Sequence, residues 1–268
     1  MKPTRIYIYS NDTGLSKATR AELVKVLEAR QIEVADTYDE SVDLIACIGG
    51  DRTFLNCAHE CRLPETPIIG INTGHLGFFQ ELMPSQLEMF VEYFERREYT
   101  IEKIKPIRAL VTDRDGVHEL IGINEILVMG MYAKLAHLAI IMDDTPIQEF
   151  IGDGMLVSTS VGSTAHNYSL GGSLVAPQLD ALQLTPMAPL NTSAYRCFRS
   201  SILYPASKKV RMITRKSTDG DKLLLAYDGF TREFSRVSKI DVMQSDSQIQ
   251  LVRLPGYDYW EKLKGKLL

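Results

Sequence analysis

Residues 42–53 read Val-Asp-Leu-Ile-Ala-Cys-Ile-Gly-Gly-Asp-Arg-Thr, and the fold of the chain turns on them. The run from Val42 to Ile48 is apolar almost throughout, which suits a strand buried on both faces, as in a parallel sheet. It ends on Gly49-Gly50, and a helical pattern follows over Thr53 to Cys61. Strand, glycine turn and helix make up the unit of an open α/β sheet, where ligands collect at the carboxyl ends of strands and helix N-termini accept phosphate. Outward from this stretch the alternation continues. Arg5 to Tyr9 is short and β-prone, and Ser16 to Arg30 carries Leu23, Val26 and Leu27 at helical spacing. Ile68 to Ile71 is another buried strand, and Leu87, Phe90, Val91 and Phe94 mark one face of a third helix. The pattern predicts a doubly wound α/β domain over residues 1–99.

Beyond Tyr99 the period shortens. Arg108 to Thr112, Ile121 to Met129, His137 to Met142 and Met155 to Thr159 read as strands. Turn signals punctuate them at Asp115-Gly116, Asp144-Thr145-Pro146, Asp153-Gly154, Asp219-Gly220 and Asp228-Gly229. One short helix is expected near Ser163 to Ser169. Residues 100–250 therefore form a β-rich, sandwich-like second domain. The tail, 251–268, ends in the amphipathic Tyr257 to Leu268 and is expected to pack back on the first domain.

Bulk chemistry narrows the function. A net charge of −4 argues against a nucleic-acid partner, and the basic stretch from Arg96 to Arg108 is interleaved with Glu95, Glu98 and Glu102, as on a solvated face. No apolar run approaches the roughly 18 residues of a membrane span, and Met1 to Tyr9 has no export signal. The four cysteines are expected to stay reduced in the cytoplasm. Cys57 and Cys61 lie one helical turn apart, as a metal half-site would, but His59 points away from both, so core packing is the favoured reading. The five histidines show no ligand spacing, and the phosphate loop G-x-x-x-x-G-K-[ST], G-x-G-x-x-G and G-x-S-x-G are all absent.

Four stretches carry candidate chemistry. In Gly49-Gly50-Asp51-Arg52-Thr53, paired glycines let a backbone approach phosphate, with Asp51 as a base or metal carboxylate; the alternative is a tight turn with Asp51 as helix N-cap. Gly70 to Phe79 holds three glycines in eight residues, more than a turn needs. Asn124-Glu125 interrupts an apolar run, so both side chains need partners, which a ribose diol, an adenine edge or a protein backbone would supply. Gly152-Asp153-Gly154, then Ser158 to Ser169 and Gly171-Gly172, brings a strand into a turn rich in hydroxyl and glycine donors.

In this order the stretches resemble the NAD kinase family. IGGDRTFL at Ile48 to Leu55 resembles its GGDGT loop, INTGHLGF at Ile71 to Phe78 its N-T-G-H-L-G-F stretch, and Asn124-Glu125 its N-E element. Gly152 to Gly172 resembles the GDG…STPTGSTAY…S-x-GG signature, and AYDG at Ala226 to Gly229 sits where the family carries V-D-G or V-D-H. The first motif is shared with lipid kinases and phosphofructokinases; the third and fourth point to NAD.

The resemblance implies an α/β domain, a β-rich domain and NAD in a cleft between them. It also implies transfer of the γ-phosphate of ATP, with a divalent metal such as Mg2+, to the 2′-hydroxyl of the adenosine ribose to give NADP. By that analogy Asp51 accepts the proton, Asn124 and Glu125 hold the adenosine part, and Thr164, Ala165 and Ser169 line the dinucleotide site. Gly49, Gly50, Arg52, Thr73, Gly74, Leu76, Phe78 and Asp228 complete the implied set, with Ile151, Asp153, Val161 and His166 at further family positions. Asp153 implies a homo-oligomer, a tetramer being favoured. Arg52 replaces a glycine, Ile151 an arginine, Val161 a Ser or Thr, and His166 a Tyr. Arg52 is expected to meet the phosphates or Asp51. The runner-up reading is a catalytically weak NAD(P)-binding sensor.

Overall fold

The structure, a computed structural model, describes residues 4–75, 77–193, 196–215 and 222–267. Asp219-Gly220, expected as a turn, and Leu76, expected in the site, lie outside the described residues. The chain divides into two compact units, Met1–Ile104 with Gln248–Leu268, and Lys105–Ser247.

The first unit is built on a seven-stranded sheet. Its middle strands, Arg5–Ser10, Leu44–Gly49 and Ile68–Asn72, run parallel, and every residue of the latter two is buried. That burial is what the unbroken apolar runs encode. Glu33–Ala35 and Gln80–Leu82 add parallel edges. The helix Gly14–Ala29 starts two residues before the expected Ser16, because Thr13 accepts the Ser16 N–H as N-cap. Leu23 and Leu27 from this helix, with Phe90 and Val91 from the helix Leu87–Arg96, fill the core against Ile6, Ile8 and Ile48. The helix after the glycine pair spans Asp51–Glu60 and takes Gly50 as N-cap, so Asp51 is its first helical residue and not its cap.

Thr100–Ile104 belongs to this sheet, where sequence periodicity assigns it to the β-rich half. It lies antiparallel to Ile249–Arg253, which in turn joins Ile68 through Leu251. The unit boundaries therefore fall at 104/105 and 247/248. A buried ionic cluster fixes this returning segment. Arg253, 7% exposed, donates to Glu102 at 2.6 Å and to Glu81 at 3.1 Å, and its guanidinium lies 3.8 Å from the Tyr257 ring centroid. Lys262, on the last helix Tyr259–Leu267, donates to the Gln80 carbonyl and sits 3.7 Å from Glu81. Burial, with the neighbouring Arg253 charge, lowers its pKa to about 8.

The second unit is an eleven-stranded antiparallel sheet. It curls so that His118, on the edge strand Val117–Gly122, packs 5.5 Å from Phe234 on the opposite edge, Phe230–Ser235. Ile107, Val128, Leu138, Val157 and Ile240 fill the interior. Two sequence expectations change here. Ile121 to Met129 is not one strand: Val117–Gly122 and Glu125–Gly130 are separate, because the Ile123 and Asn124 N–H groups donate to Asp228 at 2.7 and 2.8 Å instead of to a ladder. Asp153-Gly154 is not a turn. It lies inside the fifteen-residue strand Thr145–Thr159, where partners on both sides, Met129 and Met187, hold Gly154 extended. The expected short helix is a 3-10 turn, Val161–Thr164, followed by His166–Ser169.

Among the described residues no helix is long and apolar enough to cross a membrane, and no His, Cys, Asp and Glu side chains group to hold a metal. Cys57 and Cys61 are buried with Cys47; a hydrogen bond with Cys47 and burial push the Cys57 thiol up, and a hydrogen bond with Cys57 and burial push Cys61 up.

Removing one partner from a buried ion pair strands the others. Arg253→Ala is expected to cost about 3–5 kcal/mol, read by urea unfolding of the purified protein. A cost below about 1 kcal/mol, typical of exposed pairs, would show that the cluster does not fasten this segment.

Candidate active site

In the first unit the site forms where two buried strands end side by side. Leu44–Gly49 delivers Asp51, and Ile68–Asn72 delivers the loop 73–79. The loop is tied in at its start: Thr73 donates its N–H to the Gly49 carbonyl at 3.2 Å, its hydroxyl meets that of Ser16 at 2.6 Å, and the Gly74 N–H donates to the Asn72 side chain at 3.1 Å. At its end the loop closes on Asp51. The Phe79 N–H donates to Oδ1 at 3.0 Å, and the Phe78 N–H to Oδ2 at 3.1 Å. Phe79 also stacks on Phe54 of the Asp51 helix, at 4.4 Å and nearly parallel.

Gly77 is required here by close approach, since a Cβ on it would lie 2.3 Å from the Asp51 Oδ1. Where a Cβ on Gly50 or Gly74 would stand, no atom of the described residues beyond the adjacent ones in the chain lies within 4 Å, which leaves room for a ligand at both positions. Arg52 is exposed, is helical and carries no positive φ, so an L side chain in place of the family's glycine meets no backbone penalty at that position. The ammonium on Asp51 is that of Lys266, with Nζ 2.7 Å from Oδ2. Sequence reading missed Lys266. The available signal was Lys262 and Lys266, four apart on one face of the tail helix.

In the second unit Asn124, Glu125 and Asp228 come together, at 7%, 8% and 2% exposure. Asp228 caps the break between the two strands through the Ile123 and Asn124 N–H groups. Thr159 closes the other side, its N–H and hydroxyl both donating to the Asn124 carbonyl, at 2.9 and 3.2 Å. The turn Val161–Thr164 packs directly on this bend: a Cβ on Gly162 would lie 1.9 Å from the Asn124 carbonyl oxygen. The Thr164 hydroxyl donates to the Val161 carbonyl at 3.2 Å, and Ala165 leads into the short helix, on which His166 and Ser169 are exposed.

Glu125 is the electrostatic outlier of this cluster. Its Oε2 has no hydrogen-bond partner among the described residues. Burial, reinforced by the Asp228 charge and opposed by the His166 backbone N–H, raises its pKa to about 8. Near neutral pH the carboxyl is thus largely protonated and offers an O–H as well as an acceptor. Ile151 and Asp153 are not part of this cluster. They lie seven and five residues along the strand from Ser158, the partner of Glu125, or about 23 and 17 Å. Ile151 is buried with its N–H on the Cys197 sulfur at 3.4 Å, and Asp153 is exposed.

A fixed acid beside an open glycine loop, in a chain that also carries a buried polar cluster beside a hydroxyl-rich turn, is the equipment of a phosphotransferase acting on nucleotides. Solved structures agree in fold. A yeast NADH kinase complexed with NADH matches with a TM-score of 0.85 at 20% identity, over 99% of this chain and 87% of its own. An NAD kinase from Archaeoglobus fulgidus in complex with ATP matches at 0.76 and 24% identity, over 98% of this chain and 99% of its own. The family model described as the ATP-NAD kinase N-terminal domain matches residues 10–99, and that of the C-terminal domain residues 123–254. An NAD kinase of Finegoldia magna is 34% identical over 98% of this chain and 97% of its own, and NAD kinase 1 of Halalkalibacterium halodurans 30% identical over 87% and 88%. The chain belongs to the ATP-NAD kinase family and is an enzyme of the phosphotransferase class.

The raised Glu125 pKa has a signed consequence for stability. The folded protein holds this proton above the ordinary 4.5, so the stabilisation is complete below that value and is lost as pH rises through about 8. Between about pH 5 and pH 9 the Tm of the wild type should therefore fall more steeply than that of Glu125→Gln. Parallel Tm profiles for the two proteins would overturn the assignment.

Proposed function

We propose that the protein phosphorylates NAD, transferring the γ-phosphoryl group of ATP to the 2′-hydroxyl of the adenosine ribose to give NADP, with Asp51 as proton acceptor. The observation that carries this reading is the Asp51 carboxylate itself, fixed at the end of a buried strand by the Phe78 and Phe79 N–H groups beside the open space at Gly50 and Gly74. Phosphoryl transfer asks little covalent work of a protein. It needs the hydroxyl positioned, its proton accepted and the phosphate charge neutralised.

In this reading Gly49-Gly50 and the N-terminus of the helix Asp51–Glu60 face the triphosphate, with Arg52 exposed in the first turn of that helix. Thr73, Gly74 and Phe78 line the loop beside the reacting hydroxyl. Asn124 and Glu125 take the adenosine part, the protonated Glu125 donating to an acceptor on the nucleotide, while Thr164, Ala165 and Ser169 line the rest of the dinucleotide. We assign the divalent cation to the triphosphate of the donor, because no carboxylate cage forms among the described residues. Magnesium is commonly held in this way, by substrate phosphates with few protein ligands, and there it neutralises phosphate charge. The reading further expects a cytoplasmic homotetramer in which the exposed Asp153 serves a neighbouring subunit; light scattering on the purified protein tests the assembly.

Purified protein with NAD, ATP and magnesium, assayed for NADP by a coupled dehydrogenase, tests the activity. Asp51→Asn should lower kcat by about 10²–10⁴-fold and leave NAD binding by calorimetry intact. A variant that turns over at the wild-type rate would remove Asp51 from the chemistry.

A further inference from the structure

The ion pair on Asp51 is unusual in how it is delivered. Lys266 comes from the last helix of the described chain, 215 residues away in sequence. The two side chains are 30% and 24% exposed, and pairs that open to water ordinarily contribute little by their own attraction. Here the helix does the holding. Lys262, one turn before Lys266 on the same face, is fastened to the Gln80 carbonyl and Glu81, and Leu263 is buried. The Tyr259 ring packs 6.0 Å from that of Phe78. Arg253 donates to the Phe78 carbonyl at 3.4 Å, and the Lys266 ammonium stands 4.6 Å from the Phe78 ring centroid. The returning segment thus grips the loop residue whose N–H holds Asp51, and adds a cation to the same carboxylate.

The acceptor count on Asp51 is uneven. A carboxylate oxygen has two lone-pair positions. Oδ2 receives both the Phe78 N–H and Lys266, whereas Oδ1 receives the Phe79 N–H alone among the described donors. We propose that Lys266 is a positioning residue for phosphoryl transfer: it saturates Oδ2, fixes the carboxylate plane and leaves Oδ1 as the atom that takes the substrate proton. This rests on the reading of Asp51 as proton acceptor. In the step, the hydroxyl proton passes to Oδ1 and the hydroxyl oxygen forms its bond to phosphorus. The bond from phosphorus to the bridging oxygen of ATP breaks, its electron pair leaving with ADP. Lys266 keeps its proton throughout. Aligning the accepting lone pair is an orientation effect, and misplacement of a reacting group by about 1 Å can cost on the order of 100-fold in rate.

The test compares wild type, Asp51→Asn, Lys266→Met and Lys266→Arg, with NAD and ATP varied separately and a thermal melt for each protein. Methionine keeps an apolar stem over Phe78 and removes only the charge and the hydrogen bond. We expect Lys266→Met to lower kcat on the order of 10- to 100-fold with the KM for NAD and the Tm little changed, and Lys266→Arg to recover most of kcat. If Asp51→Asn is crippled and Lys266→Met turns over like wild type, the positioning role is overturned while the base stands. A rate loss in Lys266→Met that tracks a fall in Tm and is not recovered by arginine overturns it in favour of a purely structural pair. Wild-type turnover together with full activity of Asp51→Asn, or no turnover in the wild type at all, removes the base assignment and this inference with it.

Discussion

A carboxylate at the end of a buried strand has lost much of its water and must find donors in the protein. For Asp51 two of those donors are backbone N–H groups, at Phe78 and Phe79, and much of the first unit follows from that pairing. To present two consecutive amides to one side chain, the loop after Ile68–Asn72 has to double back against the helix Asp51–Glu60. Gly77 allows the contact, because any side chain there would occupy the space of Oδ1. The stack of Phe79 on Phe54 then seals the loop to the helix from the apolar side. A side chain used in this way is held in one rotamer, which is the condition for accepting a proton from a fixed direction.

The second unit solves a related problem with the charge balance reversed. Asp228 consumes two backbone N–H groups at the break between Val117–Gly122 and Glu125–Gly130, leaving Glu125 beside it with the His166 N–H as its opposing donor. Burial and the Asp228 charge, opposed by that N–H, push the Glu125 carboxyl toward its protonated form. The chain therefore carries one acid clamped by amides and a cation, and another pushed toward its neutral form.

Much of this was legible in the sequence, for identifiable reasons. Buried parallel strands are written as unbroken apolar runs, so Leu44–Gly49 and Ile68–Asn72 could be located to within two residues. Asp51, Asn124 and Glu125 stood out as polar groups or a glycine-flanked acid in apolar surroundings, whereas Asp228 read as a turn residue and entered the site only through the family resemblance. What periodicity does not encode is which strand pairs with which. Thr100–Ile104 reads like the β-rich half that follows it, and only its partner, Ile249–Arg253, assigns it to the first sheet. Asp-Gly at 153–154 carries a turn signal that two flanking strands override. The break at Ile123-Asn124 depends on a carboxylate more than a hundred residues away, and Lys266 meets Asp51 only through the packing of a helix that looks like an ordinary amphipathic tail.

The chain order of the first sheet also shapes how the protein comes to be folded. The strand Ile249–Arg253 fills the place between Ile68–Asn72 and Thr100–Ile104, so the sheet lacks an interior member until the whole of Lys105–Ser247 has been synthesised. In a vectorial process the inserted unit has all its residues in hand while the unit that began first still shows an open edge. Exposed strand edges are where nascent chains pair wrongly or recruit chaperones. The same late segment carries Arg253, Lys262 and Lys266, so the sheet is completed and the acid at Asp51 receives its cation in one closing event. An incompletely translated chain thus lacks both the returning strand and the lysine that meets Asp51.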